Sequence, residues 1–219
     1  MEKKVLIVGV GNGLSASLAK LFSKSGFSVA LASRNKEKNN IFITELGANV
    51  FECDVSNYEE LYKIFNQISK LDILVNNAGL LINKPFSEIK YDDYRELMDV
   101  NFWGAFNLSQ LLVKKLSNAK GQIINISSMG GVNYTSKFPG LSLYSSSKAA
   151  LSVFTECLAV ELESEQIKVN ALALGAVETE MLNTAFPGYV ADTKAHEMAS
   201  FIVEFVNSSS NIINGQVIR

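Results

Sequence analysis

Tyr144 and Lys148 stand four positions apart in Leu143-Tyr144-Ser145-Ser146-Ser147-Lys148-Ala149-Ala150-Leu151. In a helix that spacing puts both side chains on one face, so a phenol and an ammonium point into one site. A free phenol, with a pKa of about 10, is a poor acid or base at neutral pH. A fixed cation beside it favours phenolate and brings the group toward the working range, where it can exchange a proton with an oxygen. Tyr-x-x-x-Lys is also frequent by chance, so its chemical meaning rests on what surrounds it.

A second chemical feature follows the first apolar run. Gly9-Val10-Gly11-Asn12-Gly13-Leu14-Ser15 comes directly after Lys4 to Val8 and directly before the helical Ala16 to Lys24. Glycines let the backbone turn tightly and approach a pyrophosphate, and the free N–H groups and dipole of the helix start attract its charge. Gly9, Gly11, Asn12, Gly13 and Leu14 are therefore candidate cofactor-binding residues. A site for NAD carries an acidic residue about 20 positions further on, against the ribose 2′-OH. Here the next strand ends in Ala32-Ser33-Arg34-Asn35, with Lys36 and Lys38 beyond. A guanidinium at that place suits a 2′-phosphate, so Ser33 and Arg34 join the candidates and NADP(H) is expected in preference to NAD(H).

The elements that must position these residues alternate: short β-branched runs and longer stretches of helical period, the pattern of stacked βαβ units. Strands are expected near Lys4 to Val8, Ser28 to Ala32, Asn49 to Glu52, Ile73 to Asn76, Gln122 to Ser127, Lys168 to Leu174 and Gln216 to Ile218. Helices are expected over Gly13 to Ser25, Lys36 to Leu46, Tyr58 to Ser69, Tyr91 to Leu116, Leu143 to Ser164 and Thr193 to Asn207. Right-handed crossovers then give an α/β fold: a single Rossmann-type doubly wound domain over residues 1–219, with a seven-stranded parallel sheet and helices on both faces. Ligands of such sheets lie beyond the carboxyl ends of the strands.

The chain has 219 residues, of which 47% are hydrophobic and 19% charged, enough for one sizeable core. A net charge of -2 with scattered lysines argues against a nucleic-acid face. Cys53 and Cys157 have no paired spacing, lie in apolar surroundings and read as two buried, reduced thiols, which points to a reducing compartment. The first apolar run is too short for a signal segment and no run approaches a membrane span, so a cytoplasmic protein is expected, with no membrane partner. The lone His196 sits away from the strand ends and reads as an ordinary surface side chain; no metal is expected.

With the glycine turn, Asn76-Asn77-Ala78-Gly79, Ile124-Asn125-Ile126-Ser127-Ser128 and Tyr144-x-x-x-Lys148 in this order, the chain resembles the short-chain dehydrogenase/reductase family over nearly its whole length. The resemblance implies an NADP-dependent oxidoreductase acting on a ketone or aldehyde, or on the alcohol in reverse, with a 3-oxoacyl thioester among the candidate substrates. It implies Tyr144 as general acid, Lys148 as the group that lowers its pKa and binds the nicotinamide ribose, and Ser128 as a donor to the substrate oxygen. It further implies Asn101 as holder of a water in the proton relay. For the cofactor it implies Asp54 and Val55 at the adenine, Asn77, Ala78 and Gly79 as a backbone wall, and Gly175, Val177 and Thr179 near the nicotinamide. Partners of this kind are a small carbonyl or alcohol, free or carrier-linked, and further copies of the chain in a homodimer or homotetramer. The helices over Tyr91 to Leu116 and Leu143 to Ser164 carry Phe102, Trp103, Phe106 and Phe154 for such an interface.

The chain departs from the family pattern at Val8 and Ser15, which stand for a threonine and the last glycine of the turn, and at Leu174, which stands for a proline. Only residues 180–192 are left for a substrate lid, with Met181, Leu182, Phe186 and Tyr189 as its apolar residues, and that predicts an open pocket. These departures define the alternative of an NADP(H)-binding regulatory or scaffold protein with little chemistry.

Overall fold

Val5-Leu6-Ile7-Val8 is apolar at every position because successive side chains of a strand point to opposite faces, and here both faces are covered. In the computed structural model, which describes residues 2–35, 40–209 and 212–219, β1 (Lys4–Val8) sends Val5 and Ile7 into one core and Leu6 and Val8 into another. The same split holds at β4 (Ile73–Asn76) and β5 (Gln122–Ser128), where Val75 and Ile124 face one core and Leu74 and Ile123 the other. The sheet is completed by β2 (Ser28–Ser33), β3 (Asn49–Glu52), β6 (Lys168–Leu174) and β9 (Val217–Ile218). Its order is β3-β2-β1-β4-β5-β6-β9, every pairing parallel. All seven expected strands are present, within one residue of their expected ends.

The first core lies under α1 (Leu14–Lys24), α2 (Asn40–Leu46) and α8 (Ala195–Glu204), through Leu18, Phe22, Phe42 and Ile202. The second lies under α3 (Tyr58–Phe65), α5 (Gly104–Ser117) and α6 (Ser142–Glu161), through Leu61, Phe65, Leu112 and Leu158. The expected start of the second helix at Lys36, together with Lys38, lies outside the described residues. No helix among the described residues is long and apolar enough to cross a membrane.

The structure departs from the sequence expectation in two places that matter for the site. The helix expected from Tyr91 to Leu116 is α4 (Tyr91–Met98), then a wide π turn at Asp99–Trp103, then α5. The lid segment is not a plain loop: β7 (Val177–Glu178) pairs with β8 (Thr193–Lys194), and α7 (Glu180–Ala185) stands between them. Thr179 caps α7, its hydroxyl accepting the Leu182 N–H at 3.3 Å.

Because Leu74 is fully buried in a strand with neighbours on both sides, Leu74→Ala removes packing that the sheet cannot recover by collapse. Urea titration of that variant should show a loss of about 2–5 kcal/mol of unfolding free energy.

Candidate active site

Helix α6 begins one residue after Leu141 and puts Tyr144 and Lys148 on its inner face, above the carboxyl end of β5. Lys148 is 4% exposed, and its Nζ donates to the Ile126 carbonyl at 2.9 Å. Burial pulls the ammonium down from 10.5 to about 8, because the single carbonyl it bonds replaces only part of the lost hydration. Burial likewise raises the Tyr144 phenol, and its hydrogen bond with the Ser128 hydroxyl offsets part of that rise. Ser128 Oγ also accepts the Gly130 N–H at 3.2 Å.

Asn101 is placed by the π turn, in which one extra residue per turn aims its side chain inward, and it is 1% exposed. Its Oδ1 accepts the Leu80 N–H at 2.7 Å, while its Nδ2 donates to the Leu80 carbonyl and to Ser147 Oγ, both at 2.9 Å. Ser147 Oγ in turn donates to the Tyr144 carbonyl at 2.7 Å. The amide of Asn101 therefore binds the segment after β4 to α6. Gly79 lies at the junction, where a Cβ would stand 3.5 Å from Lys148 Nζ, 3.6 Å from Asn101 Oδ1 and 3.8 Å from Met181 Cε. Gly79 thus passes within contact distance of the buried ammonium and of the Asn101 amide.

The remaining candidates line the same edge of the sheet. Gly9 has a φ of +87° and sits so close to the chain after β4 that a Cβ would fall 2.3 Å from Ala78 Cα, so only glycine fits. Asn77 Nδ2 donates to the Gly9 carbonyl at 2.7 Å and fixes that crossing of β1 and β4, the point where the strand order reverses. Gly11 and Asn12 are exposed at the tip of the turn, and Gly13 precedes α1. Leu14 and Val55 belong to this edge by their backbone only: the Leu14 side chain joins the first core, and Val55 packs on Gly104 of α5. Ser33 ends β2 and Arg34 is exposed beside it. Burial raises the Asp54 carboxyl, but hydrogen bonds from Ser56 and the charge of Arg34 bring it below the usual value. On the far side Gly175 is exposed, Val177 is buried in β7, and the Thr179 methyl lies 3.1 Å from where a Cβ of Gly13 would be.

Three loops surround this site and are tied together. Lys84 N donates to the Gly140 carbonyl at 3.0 Å, and Asn83 Nδ2 donates to the Ala185 carbonyl of the lid at 2.9 Å. In the lid, Leu182 and Phe186 are half-buried, whereas Met181 and Tyr189 are exposed. Tyr134 and Phe138 of the loop before α6 project into solvent.

Sequence reasoning missed Ser127, Ser147 and Ser152. Ser127 Oγ donates from β5 to the Lys148 carbonyl at 3.1 Å and lies 2.8 Å from Ser152 Oγ, which ties the strand to the helix, whereas the bond of Ser152 Oγ to the Lys148 carbonyl at 3.0 Å runs within α6. Ser152 repeats Lys148 at the helical interval of four, the one signal that could have found it. Ser127 precedes Ser128 in a strand and carries no such period.

The chain matches a family model described as short chain dehydrogenase over residues 3–189. It is 36% identical over 179 residues to a 3-oxoacyl-[acyl-carrier-protein] reductase of Rickettsia bellii, covering 80% of this chain and 73% of that protein. Among solved structures, ElxO with NADP bound superposes with a TM-score of 0.88 at 29% identity, covering 100% of this chain and 96% of that one. A 3-ketoacyl-(acyl-carrier-protein) reductase from Brucella melitensis complexed with NADH superposes with a TM-score of 0.87 at 26% identity, covering 99% and 95%.

Lys148 offers a pH test of this geometry. Its folded pKa of about 8 lies below the reference value of 10.5, so between those values the unfolded chain binds more protons and wild-type stability rises with pH. Below pH 8 both states are charged and the burial cost is felt in full. Lys148→Met, which carries no such group, should be more resistant to urea than wild type at pH 7, and the gap should narrow as pH rises from 8 toward 10.5.

Proposed function

Since this chain belongs to the short-chain dehydrogenase family, we propose that it transfers hydride between NADP(H) and a ketone or aldehyde, with the alcohol oxidised in the reverse direction. The observation that carries this reading is the Tyr144 hydroxyl, bonded to Ser128 and set one helical turn from the desolvated Lys148 ammonium. A nicotinamide bound at this edge would supply the hydride. Ser128 and Tyr144 offer the two donors that a carbonyl oxygen needs as charge develops on it, fixed before the reaction begins. Tyr144 gives its proton to that oxygen, and the Lys148 charge stabilises the phenolate left behind. Lys148 Nζ has three hydrogens and spends one on Ile126, which leaves donors for the ribose hydroxyls. Asn101 keeps Leu80 and α6 in register through its amide, so its part in a proton relay falls to its backbone or to a water held nearby. The binding-only alternative gains no support from a site in which all four side chains are assembled.

Ser33, Arg34, Asp54 and Val55 take the adenosine end, Gly9 to Leu14 the pyrophosphate, Asn77 to Gly79 a wall, and Gly175, Val177 and Thr179 the nicotinamide side. Arg34 beside the end of β2 supports NADP(H) over NAD(H), although a relative in structure holds NADH. The lid of residues 180–192 is short and exposes Met181 and Tyr189, which supports the reading of an open mouth. An open mouth suits a bulky or carrier-linked substrate, and the relative from Rickettsia is named for such a reaction. Phe102, Trp103, Phe106 and Phe154 form one aromatic group, with Trp103 stacked on Phe106 at 4.8 Å and 45% exposed. We place a second copy of the chain on that face. Cys53 is buried as expected, whereas Cys157 is exposed, and these free thiols support a reducing, cytoplasmic setting.

Steady-state absorbance of NADPH with ketones, aldehydes and 3-oxoacyl thioesters tests the activity. Tyr144→Phe should lower kcat by about 10²–10⁴-fold, the usual contribution of a positioned acid, while NADPH binding persists; turnover equal to wild type would refute the mechanism. Arg34→Ala should weaken NADPH by at least about tenfold, as expected for a charge-assisted contact, and leave NADH nearly unchanged. Equal losses for both cofactors would remove Arg34 from phosphate recognition.

A further inference from the structure

Ser15 stands where the family pattern has the last glycine of the turn, and its side chain is 3% exposed. It is buried against the turn rather than open to solvent. Its Oγ accepts the Gly11 N–H at 2.9 Å and lies 3.4 Å from the Gly11 carbonyl, to which it donates. One hydroxyl on the first turn of α1 thus grips both polar groups of a single residue at the tip.

The rest of the turn explains why that grip matters. At its start, Gly9 N and Val10 N donate to the Ala32 carbonyl at 2.9 and 3.3 Å, and the Gly9 carbonyl is held by Asn77. At its end, Gly13 accepts the Ser17 N–H at 3.3 Å and abuts Thr179. Between these anchors Gly11 is exposed, and a Cβ added there would meet nothing within 4 Å. Packing does not fix that residue, and glycine has the widest backbone freedom of any. Its orientation depends on hydrogen bonding.

We propose that Ser15 is a positioning residue of the cofactor turn: its hydroxyl locks the Gly11 peptide in place, so the turn is ordered before the dinucleotide arrives. The inference rests on the assignment of this turn to the cofactor's phosphates. Ordering a flexible segment in advance removes a cost that binding would otherwise carry, and the gain appears as affinity. A glycine at position 15 would let the tip move. The substitution is therefore a strut, neither an obstacle to the phosphates nor a direct ligand of them.

Ser15→Ala keeps the Cβ and the helix start and deletes only the hydroxyl. Two measurements on the full-length chain decide the matter. In the cofactor-free protein, the Gly11 amide followed by NMR should exchange with solvent faster in the variant, while the amides of β1 and the thermal midpoint stay close to wild type. In calorimetric titration, NADPH should bind the variant roughly three- to tenfold more weakly, the loss expected for one net hydrogen bond, and the fall in kcat/KM should come from KM for NADPH. Unchanged Gly11 exchange would overturn the strut. Unchanged or tighter NADPH binding would overturn its role in positioning the turn. If wild type itself fails to bind NADPH, the cofactor assignment fails with it, and the Gly11 exchange still reports whether the lock exists.

Discussion

A buried ammonium without a carboxylate is the constraint to which the rest of this structure answers. Lys148 is held by a backbone carbonyl of β5 rather than by an opposite charge, so its hydration is replaced only in part, and its pKa falls to about 8. Such a group is tolerated only if its helix is fixed against the strand it bonds to. Ser127 of β5 does that through the Lys148 carbonyl and its contact with Ser152 Oγ, and Gly131 lets the loop before α6 approach the same peptide, where a Cβ would fall 2.6 Å from Lys148 C. In the proposed mechanism the cost of burying the charge is the condition for its use, since a cation in a dry site acts on a neighbouring phenolate far more strongly than one in water.

The π turn before α5 belongs to the same arrangement. A regular helix through Asp99–Trp103 would rotate Asn101 off the line between α6 and the chain after β4. The wide turn brings its amide into the gap, where both amide hydrogens and the oxygen find partners. Asn101 thereby couples the chain after β4 to the segment that carries Tyr144. The pairing also satisfies an amide that would be costly to leave unpaired at that depth.

Deeper in the sheet a second polar chain runs beneath the site. Asn76 Nδ2 donates to Asn125 Oδ1 at 2.8 Å, and Asn125 Nδ2 donates to Thr155 Oγ1 at 2.9 Å, linking β4, β5 and α6. Asn76 Oδ1 and Asn107 Nδ2, both buried, have no hydrogen-bond partner among the described residues. These groups occupy positions that strand periodicity alone would fill with apolar side chains. They set the lateral register of α6 over the sheet, which apolar contacts, being non-directional, do not.

The sequence by itself determined the architecture. Continuous apolar runs of strand length, helical period between them, and glycine after the first strand leave a doubly wound parallel sheet as the arrangement that buries both strand faces. Because such a sheet collects its loops at one edge, Gly9, Arg34, Asn77, Ser128 and Tyr144 were legible as neighbours before any coordinates. Spacing likewise put Tyr144 and Lys148 on one helix face, since that relation is local. Only the tertiary structure decided what those side chains touch. The grip of Ser15 on Gly11, the turn that aims Asn101, the serines under Lys148 and the inward packing of Leu14 and Val55 depend on segments brought together across the fold. Local pattern carries no record of such contacts, because hydrogen-bond partners and desolvation are properties of the assembled interior and not of the order of residues along the chain.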